Sequence, residues 1–224
     1  MHNDMRHIRH LVIVANNGLK KSVGVERDIA LHQYLFAVKL WCGTLNEAHD
    51  VVNSGWKGSG LAARLHENLA ADAKNALSRF TKYFSRANLI RKIRREFAFH
   101  YDANAIAAEL QNIRLDDGYE FFTSGRSGNI FYSSAEGFRN LAFLKAIGFA
   151  DKSSAIGDLY DEINKVHDQF MIFSHAVMVA IVKKSGVQWQ EATATSVVDP
   201  GSVEPIIFVD EQAMISTLKQ RGIP

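Results

Sequence analysis

Apolar positions recur every three or four residues over most of the chain, the period of helices that bury one face. Ile29, Leu31, Leu35, Val38, Leu45 and Ala48 predict a first long helix over about 28–52, which Asn53-Ser54-Gly55 stops. Lys57-Gly58-Ser59-Gly60 reads as a turn. Leu61, Leu65, Leu69, Ala73, Ala76, Phe80 and Phe84 predict a second helix over about 61–84. Ile90, Ile93, Phe97 and Tyr101 predict a third over about 89–101, with a short continuation over 103–111. A helix over about 134–148 and a long one over about 153–184 follow. Ile156, Leu159, Ile163, Val166, Phe170, Phe173, Val177 and Ile181 mark the inner face of that last helix. Its end is apolar nearly all round, which predicts burial in the core or in a subunit interface.

Between these helices the period changes. Tyr119–Thr123 and Ile130–Ser133 are β-rich runs around a loop holding Gly125 and Gly128, and predict a small hairpin over about 118–133. Residues 1–27 read as an arm, with His2, His7 and His10, scattered basic residues, Gly18 and Gly24. Residues 185–224 read as a C-terminal appendage holding Pro200-Gly201-Ser202 and the apolar run Ile206–Val209. The expected fold class is all-α: a bundle of about four to six helices over 28–184, carrying an inserted hairpin.

Composition agrees with one globular domain. The chain has 224 residues, of which 47% are hydrophobic and 22% charged. This length buries enough surface to fold without a disulfide or structural metal. The single Cys42 excludes an internal disulfide and suits a reducing compartment. Phe170–Val182 is the longest apolar stretch, interrupted by Ser174 and His175 and short of the ~20 residues of a membrane span. A cytoplasmic protein without a membrane association is expected.

Charge adds more than composition does. The formal net charge is only +2, yet no Asp or Glu occurs from Ala73 to Arg95. Within it, Arg79, Lys82, Arg86, Arg91, Lys92, Arg94 and Arg95 give the stretch Arg79–Arg95 a charge of +7 and leave −5 for the rest of the chain. Such a concentration suits a polyanion, since basic side chains release counterions condensed on phosphates. It also suits ion pairing with Asp158, Asp161 and Glu162.

Most catalytic signatures are missing. The chain has no GxxxxGK[ST] loop, GxGxxG turn, HExxH helix or GxSxG elbow. Cys42 reads as a small core residue, His175 as a satisfied core histidine, and no metal or cofactor site is expected. What remains is Arg94 and Arg95 followed by His100. A histidine can take the proton of a ribose 2′-hydroxyl or protonate the 5′-oxygen leaving group. An arginine fork stabilises the charge of the phosphorane between them. The Arg–His spacing alone carries little weight, since Arg27 and His32 show it too. Context favours His100, which lies in the basic segment among Phe97, Phe99 and Tyr101. On an ideal α-helix residues five apart diverge by about 140°. The chemistry therefore predicts a helix end that turns, or a second copy across a two-fold axis.

Ile93-Arg-Arg-Glu-Phe-Ala-Phe-His-Tyr-Asp102 resembles the motif helix of HEPN-domain proteins, all-α bundles whose signature is Arg, four to six residues, then His. The resemblance is closest to the abortive-infection branch. It implies a metal-independent endoribonuclease acting as a homodimer, a toxin or antiviral effector with a possible neutralising protein partner. Arg95 and His100 would be the catalytic pair, with Arg94 in support. Glu96 stands where the family usually has Asn, Asp or His, and Asp102 replaces a tyrosine that some members carry. Arg91, Lys92, Arg86 and Lys82, with Arg126 at the hairpin tip, are the expected RNA contacts. The alternative is a non-catalytic HEPN-like module that binds RNA or a protein.

Overall fold

A computed structural model describes residues 1–98, 104, 107–108, 111, 121–122, 131–148 and 154–186. The described residues form an all-α bundle. Its helices are α1 His2–Lys21, α2 Gly24–Asp50, α3 Gly60–Leu65, α4 Ala71–Phe84, α5 Leu89–Ile93, α6 Ser133–Ala146 and α7 Ala155–Ser185.

α2 is the axis of the bundle. Ile29, Ala30, Tyr34, Leu35, Ala37, Val38, Trp41, Cys42, Leu45 and Ala48 are all buried, so the helix is covered on most of its circumference. α1, α4, α5, α6 and α7 all pack against it. The core continues through Phe80 and Phe84 of α4 and Leu159, Ile163, Phe170 and Phe173 of α7. The rings of Phe80 and Phe170 lie 5.5 Å apart across the α4–α7 contact. Such aromatic pairs add stabilisation beyond their buried area.

The amino-terminal residues are a helix, not the expected arm. Met5, Ile8, Val12 and Ala15 are buried and Leu19 packs beside them, a stripe at intervals of three and four. Asp4 in the first turn and Lys20 and Lys21 in the last complement the helix dipole. Only Ser22 and Val23 separate α1 from α2, and Gly24 adopts φ +56°, where a side chain would be strained.

The predicted second helix is broken. α3 gives way to a 3₁₀ turn over His66–Asn68, and Leu69 and Ala70 are extended before α4 begins. Leu65 and Leu69 both stay buried, so the apolar spacing survives the break. Ser59 caps α3, its hydroxyl accepting from the Ala62 N–H at 3.0 Å. Asn88 caps α5, its Oδ1 accepting from the Arg91 N–H at 2.8 Å.

The predicted third helix also changes character. α5 ends at Ile93, and Arg94–Ala98 form a π turn. Phe97 is buried there with its ring 5.7 Å from that of Phe143 on α6. Phe121–Phe122 and Phe131–Tyr132 pair antiparallel, Phe121 opposite Tyr132 and Phe122 opposite Phe131. Two residues a side do not amount to the hairpin expected over 118–133, whose remaining residues up to 130 lie outside the described residues. Most of 103–111 and all of 187–224 lie outside them too. On α7 no residue beyond Phe173 is buried, and Met178 and Ile181 are exposed, so the end of this helix is not core within one chain. Among the described residues no helix is long and apolar enough to cross a membrane.

The packed α1 makes an arm-like tolerance at its inner face impossible. Val12→Asp removes a buried side chain worth ~1.5–3 kcal/mol and places a carboxylate in the core. Thermal unfolding of this variant should begin roughly 10 °C lower than in the wild type. An unchanged midpoint would mean that α1 does not pack.

Candidate functional site

Arg94 and Arg95 stand at the start of the π turn and have different surroundings. Arg94 reaches back to α2, where its Nε and one terminal nitrogen donate to Glu47 Oε1 at 3.1 and 2.8 Å. The pair is half-buried and pins the turn to the central helix. Arg95 points outward with 73% of its side chain exposed and donates to the neighbouring Glu96 at 2.8 Å. Arg95 is thus the arginine free to approach a ligand, at the cost of a surface ion pair worth little in water.

The π turn alters the angular relation of this segment. A π turn pairs residue i with i+5, so residues five apart lie on one side, whereas an α-helix spreads them by about 140°. His100 and Arg126 lie outside the described residues.

The other basic residues divide in two. Lys82 on α4 and Arg86 in the α4–α5 connection are exposed, as is Arg79, and none of the three pairs with an acid among the described residues. Arg91 sits 5.8 Å from the centre of the Phe84 ring, and Lys92 donates to the carbonyl of Ala146 at 3.3 Å. These two fasten α5 to α4 and to the end of α6. The acids that Arg94 and Arg95 meet are Glu47 and Glu96. Glu162 accepts the hydroxyl of Tyr83.

Buried polar groups show what the sequence concealed. Lys39 is 1% exposed in the middle of α2, donates to Asn140 Oδ1 at 2.9 Å and lies 5.7 Å from the Phe143 ring. Asn140 also bonds to His32, the rival histidine of the sequence reading. His32 is thereby part of a polar link between α2 and α6. A charged residue between buried Val38 and a half-buried Leu40 was the available signal.

Of the two histidines of α7, the one expected in the core is not there. His175 is exposed, with its ring 6.4 Å from that of His2, and is not a core residue. His167 is the buried one, at 1% exposure. The indole N–H of Trp41 donates to His167 Nδ1 at 3.0 Å, which requires that nitrogen to be unprotonated. Among the described residues no group of three His, Cys, Asp or Glu is placed to hold a metal ion.

The chain matches no family model, no curated protein and no solved structure. The arrangement of its own residues therefore carries the functional argument.

Burial, then the positive charge of Arg9, lowers the pKa of His167 from 6.5 to about 4. The unfolded chain takes up this proton as pH falls below 6.5, while the folded chain resists until about 4. The contribution is complete above pH 6.5 and is lost on acidification through that window. At pH 5 the loss is about 2 kcal/mol. Burial shifts His49 in the same direction. Urea midpoints at pH 7.5 and pH 5 should fall further for the wild type than for His167→Gln, which can still accept from Trp41. Equal falls would show that His167 titrates normally.

Proposed function

We propose that the chain is a metal-independent endoribonuclease of HEPN type, with His100 as its acid–base group and Arg95 stabilising the charge of the transition state. The observation that carries this reading is the π turn at Arg94–Ala98, which begins on the candidate arginines and leaves Arg95 exposed. π turns inside helices occur frequently at functional sites. The division of labour beside it supports the same reading, since Glu47 holds Arg94 and leaves Arg95 outward.

In this reading His100 removes the proton of a 2′-hydroxyl as that oxygen attacks the adjacent phosphorus. The 5′-oxygen leaves with a proton, giving a 2′,3′-cyclic phosphate and a 5′-hydroxyl. Arg95 leaves Glu96 for the phosphorane, whose charge exceeds that of the substrate. Arg79, Lys82 and Arg86 supply sequence-independent phosphate contacts. A homodimer would set two such segments side by side, and a toxin or antiviral role with a neutralising partner follows from the family resemblance. The work would be cytoplasmic.

One observation favours the alternative, a module that binds RNA without cleaving it: both arginines of the motif are engaged by acids, Glu47 and Glu96.

End-labelled RNA incubated in excess EDTA separates the two. Wild-type protein should cleave and leave cyclic phosphate ends, and His100→Ala should not, with its helical signal intact. Arg95→Ala should slow cleavage by ~10²–10³, the usual loss for one group aimed at developing charge. Arg94→Ala should act mainly on stability. If neither wild type nor His100→Ala cleaves, while Arg79→Ala with Lys82→Ala weakens salt-dependent binding, the chain is the binding module.

A further inference from the structure

α1 and α7 enclose a cleft of about 300 Å³. Its polar wall is Arg6, Arg9, His10, His167 and Asp168, and Ile13 and Met171 form an apolar wall. This is the lower end of the size range of small-molecule sites. The cleft shares no residue with the Arg95 segment, and the inference does not rest on the ribonuclease reading.

Three donors border it, and one of them is buried without an acceptor among the described residues. The first is on Arg9. Its terminal nitrogen is 3.8 Å from Asp168 Oδ1, too long for a hydrogen bond, and its Nε is buried and meets no acceptor among the described residues. A buried donor without an acceptor costs ~1–3 kcal/mol, which a bound anion would recover. The second is on His167. Trp41 occupies its Nδ1, so the ring carries its proton on Nε2, and the ring lines the cleft. The third is the exposed guanidinium of Arg6 on the turn before Arg9. Two arginines against one aspartate leave the cleft positive. Burial first, and then the charge of Arg9, keeps His167 neutral against the opposing charge of Asp168.

We propose that this cleft binds the phosphate group of a small phosphomonoester, with Arg6 and Arg9 gripping its oxygens and His167 donating from the inner wall. Three donors from three residues suit the three terminal oxygens of a phosphate better than the two of a carboxylate. Arginine forks match that geometry. Ile13 and Met171 would lie against the body of the ligand. His167 is joined to Trp41 at the centre of α2, so an occupied cleft is coupled to the core.

Calorimetric titration of the full chain with inorganic phosphate and with 5′-AMP tests the assignment. Both should bind at one site with a dissociation constant of roughly millimolar or tighter. Arg6→Gln and Arg9→Gln should each weaken binding by roughly tenfold. Lys20→Gln with Lys21→Gln removes twice the charge of either arginine variant from the same helix outside the cleft and should leave binding within twofold. Arg6 is exposed, so its variant keeps the fold and reads the site directly. In ¹H–¹³C spectra, saturating phosphate should raise the titration midpoint of His167. Binding that survives both arginine substitutions would overturn the proposal. So would the absence of heat up to ~10 mM of either probe. Binding of 5′-phosphorylated RNA alone, with neither small probe, would overturn it as well.

Discussion

Everything described in this molecule leans on the enclosure of α2. A helix covered by five others has little solvent-facing surface, and its buried polar side chains depend on partners from its neighbours. Trp41 finds His167, Lys39 finds Asn140, and His49 bonds to Asp50 while stacking on Phe84. These bonds fix where the surrounding helices sit. Trp41 and His167 set the depth of α7, and Lys39 and Asn140 set α6. Glu47, near the end of the same helix, takes Arg94 and so orients the π turn. Hydrophobic burial supplies the driving force, and this small set of polar contacts chooses the arrangement.

The outward turn of Arg95 follows from that arrangement. Arg94 and Arg95 are adjacent and chemically alike, and one contact to α2 distinguishes them. Forty-seven positions separate Arg94 from Glu47. Their meeting follows from α5 and the π turn packing along α2. The exposed Arg79, Lys82 and Arg86 lie on the sequence between two fastened stretches, the inner face of α4 and the α5 contacts of Arg91 and Lys92.

Helices that bury a broad apolar face could be read from the sequence. α2 and α7 lie close to their predicted bounds, because a stripe repeated over many turns leaves no competing period. α1 was hidden, since the continuous apolar run Leu11–Ala15 masks the three-and-four spacing of Met5, Ile8, Val12 and Ala15. The break between α3 and α4 was hidden for the opposite reason: Leu65 and Leu69 keep helical spacing through a 3₁₀ turn, so periodicity is blind to it. At the candidate site the residue types and their spacing were legible, and their order of importance was not. That order depends on Glu47, as the fate of Lys39 depends on Asn140. The cleft of Arg6, Arg9 and His167 joins residues from the two ends of the described chain, a juxtaposition that spacing does not encode.

Cys42 lies at 0% exposure on α2, and burial holds its thiol far above the ordinary thiol range. It is the chain's one cysteine. Thiolate-seeking reagents and oxidants attack the ionised form, so the closed molecule offers them nothing. Alkylation must wait for the central helix to come free, and its rate becomes a stopwatch for that opening. The thiol of the folded protein is accordingly shielded from redox swings around it. Any cysteine placed on its surface would be the sole reactive handle, a clean anchor for a dye or spin label.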